Sequence, residues 1–317
     1  MPERVDPADY REVFTASREN GYRRPRGYAA WRPQAKTRVL LSNVEAVLEE
    51  YEEHLPLTVR QIFYRLVGAF GYPKDEDAYE RLGDKLVRAR RARMIPFDAI
   101  RDDGIVTIRQ ANYGGVQDFH DETAHRARDY RRDRQERQPV RLELWCEAAG
   151  MLRQLNLIAA AYSVPVFSKS GYSSLTATRE IADRALEREV PTVLLHVGDF
   201  DPSGESIFEV IAEDAAAFVE ADRAILPQRI EARRVALTRG QVAEHDLPTA
   251  PPKTGDSRSK KWKGDTCQLE ALPPDVLAGI VKNAIRNEFD LDRYERGVEQ
   301  ERRDRAELLA LPPAGDG

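Results

Sequence analysis

The chain has 317 residues, 41% of them apolar and 32% charged, with 49 basic against 54 acidic side chains and a formal net charge of -5. That length suits about two domains of roughly 150 residues, while the charge balance excludes a histone-like or polybasic protein and, as a total, argues against nucleic acid. Two distant cysteines, Cys146 and Cys267, exclude a disulfide framework or a zinc knuckle, and the polar start and the lack of any run near ~18 apolar residues point to a reduced cytoplasmic setting without signal peptide or membrane span.

The total hides a gradient. Residues 1–138 hold 26 basic and 24 acidic residues, and 139–317 hold 23 and 30. Arg23 to Arg38 contains six basic residues and no acid, with Tyr28, Trp31 and several Pro and Gly among them and Tyr22 just before. It reads as an irregular arm, either a solvated tail or a segment lying along a phosphate backbone. Ser42 and Glu45 form a capping-box pattern for a first helix to about Leu55, and Thr58 with Gln61 repeats it for a second. Along that second helix Val59, Ile62, Phe63, Leu66, Val67 and Phe70 make one apolar stripe at helical period. A third helix is expected from about Asp75 to Met94, with Arg81, Lys85, Arg88, Arg90, Arg91 and Arg93 against Asp84 alone in its second half. AIRDDGIVTIRQ then reads as a hairpin around an Asp-Gly turn. Three helices, the last basic, followed by a hairpin describe a winged helix-turn-helix, with Arg88, Arg90, Arg91 and Arg93 as expected DNA contacts.

Residues 109–138, with DYRRDRQERQ, read as a charge-mixed helix or linker. From 139 the pattern alternates. VRLELWCE, VPVFSKS and PTVLLHVG are strand-like, separated and followed by MLRQLNLIAAAY, LTATREIADRALERE and ESIFEVIAEDAAAFVEA as helices. This implies an α/β fold with a parallel sheet whose ligands gather at the strand carboxyl ends. Glu147 closes the first of these strands, and Asp199 and Asp201 follow the third. Three carboxylates at such a mouth suit Mg2+ rather than zinc and point towards phosphoryl transfer. Asp201 before Pro202 also makes a good helix N-cap, which needs no metal. Ser168, Lys169, Ser170 and Gly171 follow the second strand as a polar turn or phosphate cradle. Lys253, Arg258, Lys260, Lys261 and Lys263 surround Trp262 as a second basic aromatic segment. The five histidines show no ligand spacing, and His196 in an apolar strand reads as a packed residue.

HVGDFDPSGESI, preceded by LELWCEAAG, resembles the Toprim domain of topoisomerases and related nucleases. The Asp-x-Asp-Pro-x-Gly form is most similar to the A subunit of archaeal topoisomerase VI and its meiotic double-strand-break relative. TVRQIFYRL resembles that family's Arg-x-x-Tyr-Tyr segment in a winged-helix domain, with Arg60 at the arginine, Phe63 in place of the first tyrosine and Tyr64 at the nucleophile. The lysine that many relatives place after the motif glutamate is Ala148 here. The later LPTAPPKTGDSRSK and TCQLEALPP segments look like the tail of bacterial single-chain members.

The resemblance implies a basic arm (1–41), a winged helix (42–108), a linker (109–138) and a Toprim domain with C-terminal extension (139–317). It implies that Tyr64, assisted by Arg60 and Glu147, attacks duplex DNA to leave a 5′-phosphotyrosyl link. Mg2+ would sit on Glu147, Asp199 and Asp201, and Lys169, Lys260 and Lys261 would join the DNA contacts. A homodimer is implied, nucleoid-associated in the cytoplasm. No ATP motif is present in the chain, so strand passage would need a separate ATPase B-type subunit. Taken without the family, Tyr64 lies about 130° from the centre of the apolar stripe at 100° per residue, so its hydroxyl is free to face a groove. A hydrolytic Toprim nuclease and a non-catalytic DNA-binding protein of a mobile element are the competing readings.

Overall fold

A computed structural model describes residues 28–101, 112–168, 175–188, 190–222, 230–252, 262 and 264–310. They divide into two compact units.

The first unit contains the described residues up to Arg101, with His245–Pro248 and Glu270–Val276 joining from later in the chain. Its first helix, α1, spans Ala35–Glu50 and buries Leu41, Val44, Val47 and Leu48. The expected start at Ser42 is therefore corrected to Ala35, and Lys36 and Arg38 belong to a helix rather than to an irregular arm. Nothing between Pro33 and Tyr51 breaks a helix, and an S-x-x-E string is compatible with a continuing one. A two-residue strand, β1 (Leu57–Thr58), leads into α2 (Val59–Phe70). Here the expected capping box is present. Thr58 Oγ1 accepts from Gln61 N–H at 3.1 Å, and Gln61 Oε1 accepts from Thr58 N–H at 2.9 Å.

Helix α3 (Glu76–Arg91) is capped by Asp75, whose carboxylate accepts from Ala78 N–H at 2.7 Å. Ala78, Leu82, Leu86 and Ala89 form its buried face, which turns Arg81 and Arg88 outward. The helix ends in a left-handed Arg93 (φ 57°). Met94 N–H reaches back to Ala89 O at 2.9 Å and Arg93 N–H to Arg90 O at 3.1 Å, a Schellman closure that usually employs glycine. The arginine guanidinium stacks 4.0 Å over the Tyr28 ring, offsetting a backbone cost of ~1 kcal/mol. Strand β2 (Ile100–Arg101) pairs in parallel with β1. The rest of the expected hairpin lies outside the described residues.

The second unit runs in chain order α4 (Val116–Arg128), β3 (Arg141–Cys146), α5 (Leu152–Ala159), β4 (Val166–Ser168), α6 (Leu175–Leu186), β5 (Thr192–Val197), α7 (Pro202–Asp222), β6 (Ile230–Ala236), α8 (Arg239–Glu244), α9 (Pro274–Glu288) and α10 (Leu291–Ala310); α9 begins within the first unit's last segment. The four strands form a parallel sheet in the order β4-β3-β5-β6. The architecture is thus mixed α/β.

Both central strands are buried along almost their whole length, and mostly apolar, because both sheet faces are covered. On one face Trp145 packs with Ile181, Leu194, Phe208 and Ile211, and its ring stacks on Phe167 at 4.7 Å. Leu142, Leu144, Val193 and Leu195, on the alternate positions, are also buried. Each fully buried leucine contributes roughly 1.5–3 kcal/mol.

Two charged clusters interrupt this packing. Glu143, fully buried on β3, accepts a two-pronged contact from Arg184 (2.9 Å at each oxygen), with Arg188 at 3.0 Å and Trp145 Nε1–H at 3.1 Å. Glu301, buried on α10, receives Arg131, Arg134, Arg305 and the Arg132 N–H at 2.7–3.1 Å. These hydrogen bonds hold its carboxyl below the usual carboxylate range, against its burial. The stretch read as a charge-mixed helix or linker carries α4 and then 129–138 clasped against α10. Gln135 reinforces it by exchanging hydrogen bonds with the Leu142 backbone at 2.6 and 3.2 Å.

Candidate active site at the ends of the central strands

From β3 the chain crosses outward to β4, and from β5 it crosses the other way to β6. The carboxyl ends of β3 and β5 therefore flank a topological switch point, where ligands bind in open α/β sheets. Glu147 follows β3 directly. Gly198, Asp199, Phe200 and Asp201 follow β5, and α7 begins at Pro202.

The structure joins two of the three expected acids. Glu147 Oε2 accepts from Asp199 N–H at 3.4 Å. Gly198 makes this approach possible, since a Cβ there would stand 2.7 Å from Glu147 Cδ and Oε1. Asp199 Oδ1 accepts from Leu269 N–H at 2.9 Å. The loop is fastened further by Phe200, which exchanges backbone hydrogen bonds with Cys267 at 2.8 and 3.0 Å. Asp201 is half-buried nearby and acts electrostatically on Glu147. Among the described residues no group of three or more His, Cys, Asp and Glu side chains is arranged to hold a metal ion.

Burial, then the charges of Asp199 and Asp201, push the Glu147 carboxyl up from 4.5 to about 7; Arg234 and the Asp199 N–H pull in the other direction. Because the folded value is raised, the folded chain binds this proton more tightly than the unfolded chain, and stability falls as pH rises through that window. Above it, ionised Glu147 destabilises the fold. The shift corresponds to ~3 kcal/mol at full value, discounted to about 1–2 kcal/mol because the side chain is 36% exposed. Glu147→Gln is expected to raise the unfolding free energy by that amount at pH ~8, with the gain vanishing by pH ~4. Urea titrations at the two pH values check this, and an equal effect at both would count against it.

Two neighbours were not legible as site residues. His196, buried on β5, places Nε2 at 3.6 Å from Glu147 Oε1 and stacks on Phe208 at 4.2 Å. Arg234 on β6 reaches His196 Nδ1 at 3.4 Å and the carbonyls of Leu237 and Gly198 at 3.1 Å each, and also the Asp199 carbonyl. No sequence signal picks out Arg234. Only the pairing of β6 with β5 in register His196↔Arg234 brings it there.

In the first unit, Tyr64 is buried at 8% exposure, with its ring edge-on to Phe63 at 5.4 Å. This corrects the expectation that its angular offset frees it to face a groove. Gln61, Ile62, Phe63, Tyr64 and Leu66 are all buried, so α2 is covered on several sides rather than along one stripe. Part of the cover is the returning segment, where Arg60 pairs with buried Glu270 at 3.8 Å and Arg65 donates to the Ala271 carbonyl. Of the expected DNA contacts, Arg88 and Arg93 are exposed and Arg90 and Arg91 half-buried. Arg90 also donates to Phe97 O at 3.3 Å and lies 4.8 Å over its ring. Lys169, Lys260 and Lys261 lie outside the described residues. No helix among the described residues is long and apolar enough to cross a membrane. No protein-family model matches the chain, and no curated protein matches it.

Proposed function

We propose that the chain is a DNA-cleaving transesterase of the topoisomerase VI A-subunit kind, a winged helix followed by a Toprim domain. The observation that carries this reading is the hydrogen-bonded meeting of Glu147 and Asp199 across the switch point, with Asp201 beside them. An all-carboxylate donor set with excess negative charge fits a hard divalent cation in kind. Glu147, Asp199 and Asp201 would hold Mg2+, which supplies compensation for charge developing on phosphate oxygens.

The chain's own groups divide the remaining work. Arg88, Arg91 and Arg93 face duplex phosphates, joined by Lys169, Lys260 and Lys261, while Arg90 braces the end of α3. The Tyr64 phenol oxygen attacks phosphorus as its proton passes to solvent, the P–O bond to the 3′ oxygen breaks, that oxygen takes up a proton from solvent to leave as a 3′ hydroxyl, and a 5′-phosphotyrosyl link results. Arg60 stabilises the phosphate charge in that step. One tyrosine cuts one strand, so double-strand cleavage calls for a homodimer, and strand passage for a separate ATPase subunit. Burial of Tyr64 favours a second reading, hydrolysis by the same carboxylates with Tyr64 structural.

Supercoiled plasmid incubated with the chain and Mg2+, quenched with detergent and split with or without protease, tests both. Protein-linked ends that disappear in Tyr64→Phe are the expected result. Free ends that survive Tyr64→Phe but not Asp199→Ala would establish hydrolysis instead. Duplex binding without cleavage would reduce the chain to a DNA-binding protein.

A further inference from the structure

We propose that His196 and Arg234 are a positioning pair that delivers one N–H to Glu147 and so fixes the orientation of its carboxylate; this rests on the reading of Glu147 as an active-site acid. The argument runs through donor count. A guanidinium carries only donors. Nε of Arg234 points to Leu237 O, Nη2 points to Gly198 O and Asp199 O, and Nη1 faces His196 Nδ1. Nδ1 must therefore accept. In a neutral imidazole the proton then sits on Nε2, the nitrogen that faces Glu147 Oε1.

The neighbouring groups close off the alternatives. A proton on Nδ1 would confront the Arg234 cation and leave a bare acceptor at Nε2 facing a carboxylate, and a ring flip would put Cδ2 and Cε1 where the two nitrogens stand. Phe208, parallel to the imidazole at 9°, and the buried strand position of His196 hold the ring plane. Glu147 thus has His196 Nε2 facing Oε1 at 3.6 Å, just beyond hydrogen-bond distance, while Oε2 accepts the Asp199 N–H. A neutral donor orients the carboxylate without cancelling its charge, so the acid remains available to a cation. Beside this point β6 shifts register, with Val197 pairing with Ala236 directly after His196 pairs with Arg234, the kind of irregularity that re-aims side chains in sheets.

Two measurements on the full chain test the pair. Long-range proton–nitrogen correlation of nitrogen-15 histidine-labelled protein at pH ~7.5, assigned by the signal lost in His196→Gln, should show the Nε2–H tautomer for His196. The Nδ1–H tautomer or a doubly protonated ring would overturn the proposal. Titration of Mg2+ alone should show binding about tenfold weaker in His196→Phe, the usual scale for an outer-shell partner. His196→Phe keeps the stack on Phe208 but loses both nitrogens. His196→Gln offers a donor and an acceptor at similar reach and should recover to within about threefold of the parent. Unchanged Mg2+ affinity in His196→Phe also overturns the positioning role. If the parent chain itself binds no Mg2+, the metal reading of the acids fails, and the tautomer alone decides on the pair.

Discussion

Gly198→Ala is expected to lower the proposed DNA cleavage by about 100-fold while leaving the chain folded, the scale seen when a reacting group is misplaced by about an ångström. The backbone at 198 is not in the left-handed region, so alanine is conformationally acceptable there. The conflict is with one side chain. The new methyl would stand 2.7 Å from Glu147 Cδ and Oε1 and 3.1 Å from Cγ. These atoms are the far end of a flexible side chain, so Glu147 swings away at a cost of about 1 kcal/mol or less. Its carboxylate then leaves both the Asp199 N–H and His196. The prediction is checked by cleavage kinetics beside urea unfolding, and by a double-mutant comparison. Gly198→Ala combined with Glu147→Ala should be no slower than Glu147→Ala alone. Full activity in Gly198→Ala would mean that Glu147 does not act from its observed place.

Glu143→Ala is expected to cost about 3–5 kcal/mol of stability, the range for removing one partner of a buried ion pair. The carboxylate is wholly buried and serves as the common acceptor for Arg184, Arg188 and Trp145. Its loss leaves two guanidinium groups beside the sheet core without their counter-charge. Arg188→Ala should cost clearly less, since the two-pronged Arg184 contact persists. Urea denaturation followed by circular dichroism measures both, and a loss under about 1 kcal/mol in Glu143→Ala would contradict the role assigned to the carboxylate. Cleavage by the folded fraction should be unaffected, which separates this acid from Glu147 only four residues away.

Local chemistry was legible where a single segment contained its own instructions. Thr58 with Gln61 sets the start of α2, and Asp75 that of α3, because a side-chain acceptor and an orphan N–H lie within three residues. The same pattern at Ser42 misled, since whether the chain before it is helical depends on the tertiary burial of Leu41 and its partners. Glu147 and Asp199 were readable as strand-end acids from the apolar runs before them. Strand β6 was not. Ile230–Ala236 carries Glu231, Arg233 and Arg234, and a charged edge strand has neither the alternation nor the continuous apolar run that marks central strands. Missing that strand meant missing Arg234, and with it any role for His196 beyond packing. Tyr64 shows the opposite failure, where one-helix geometry cannot register a segment that returns from residue 270 against the same helix at Arg60 and Arg65.

The outer strands of the sheet also bear on how the chain behaves at high concentration. Strand β4 has three residues, and β6 bears Arg233 paired with Glu231 and Glu288. Among the described residues, a short edge on one side and a charged edge on the other are poor templates for a neighbouring chain's backbone. The apolar interior of β3 and β5 is thereby kept from recruiting strands from other copies, so the sheet's own margins act as its safeguard against fibrous self-association.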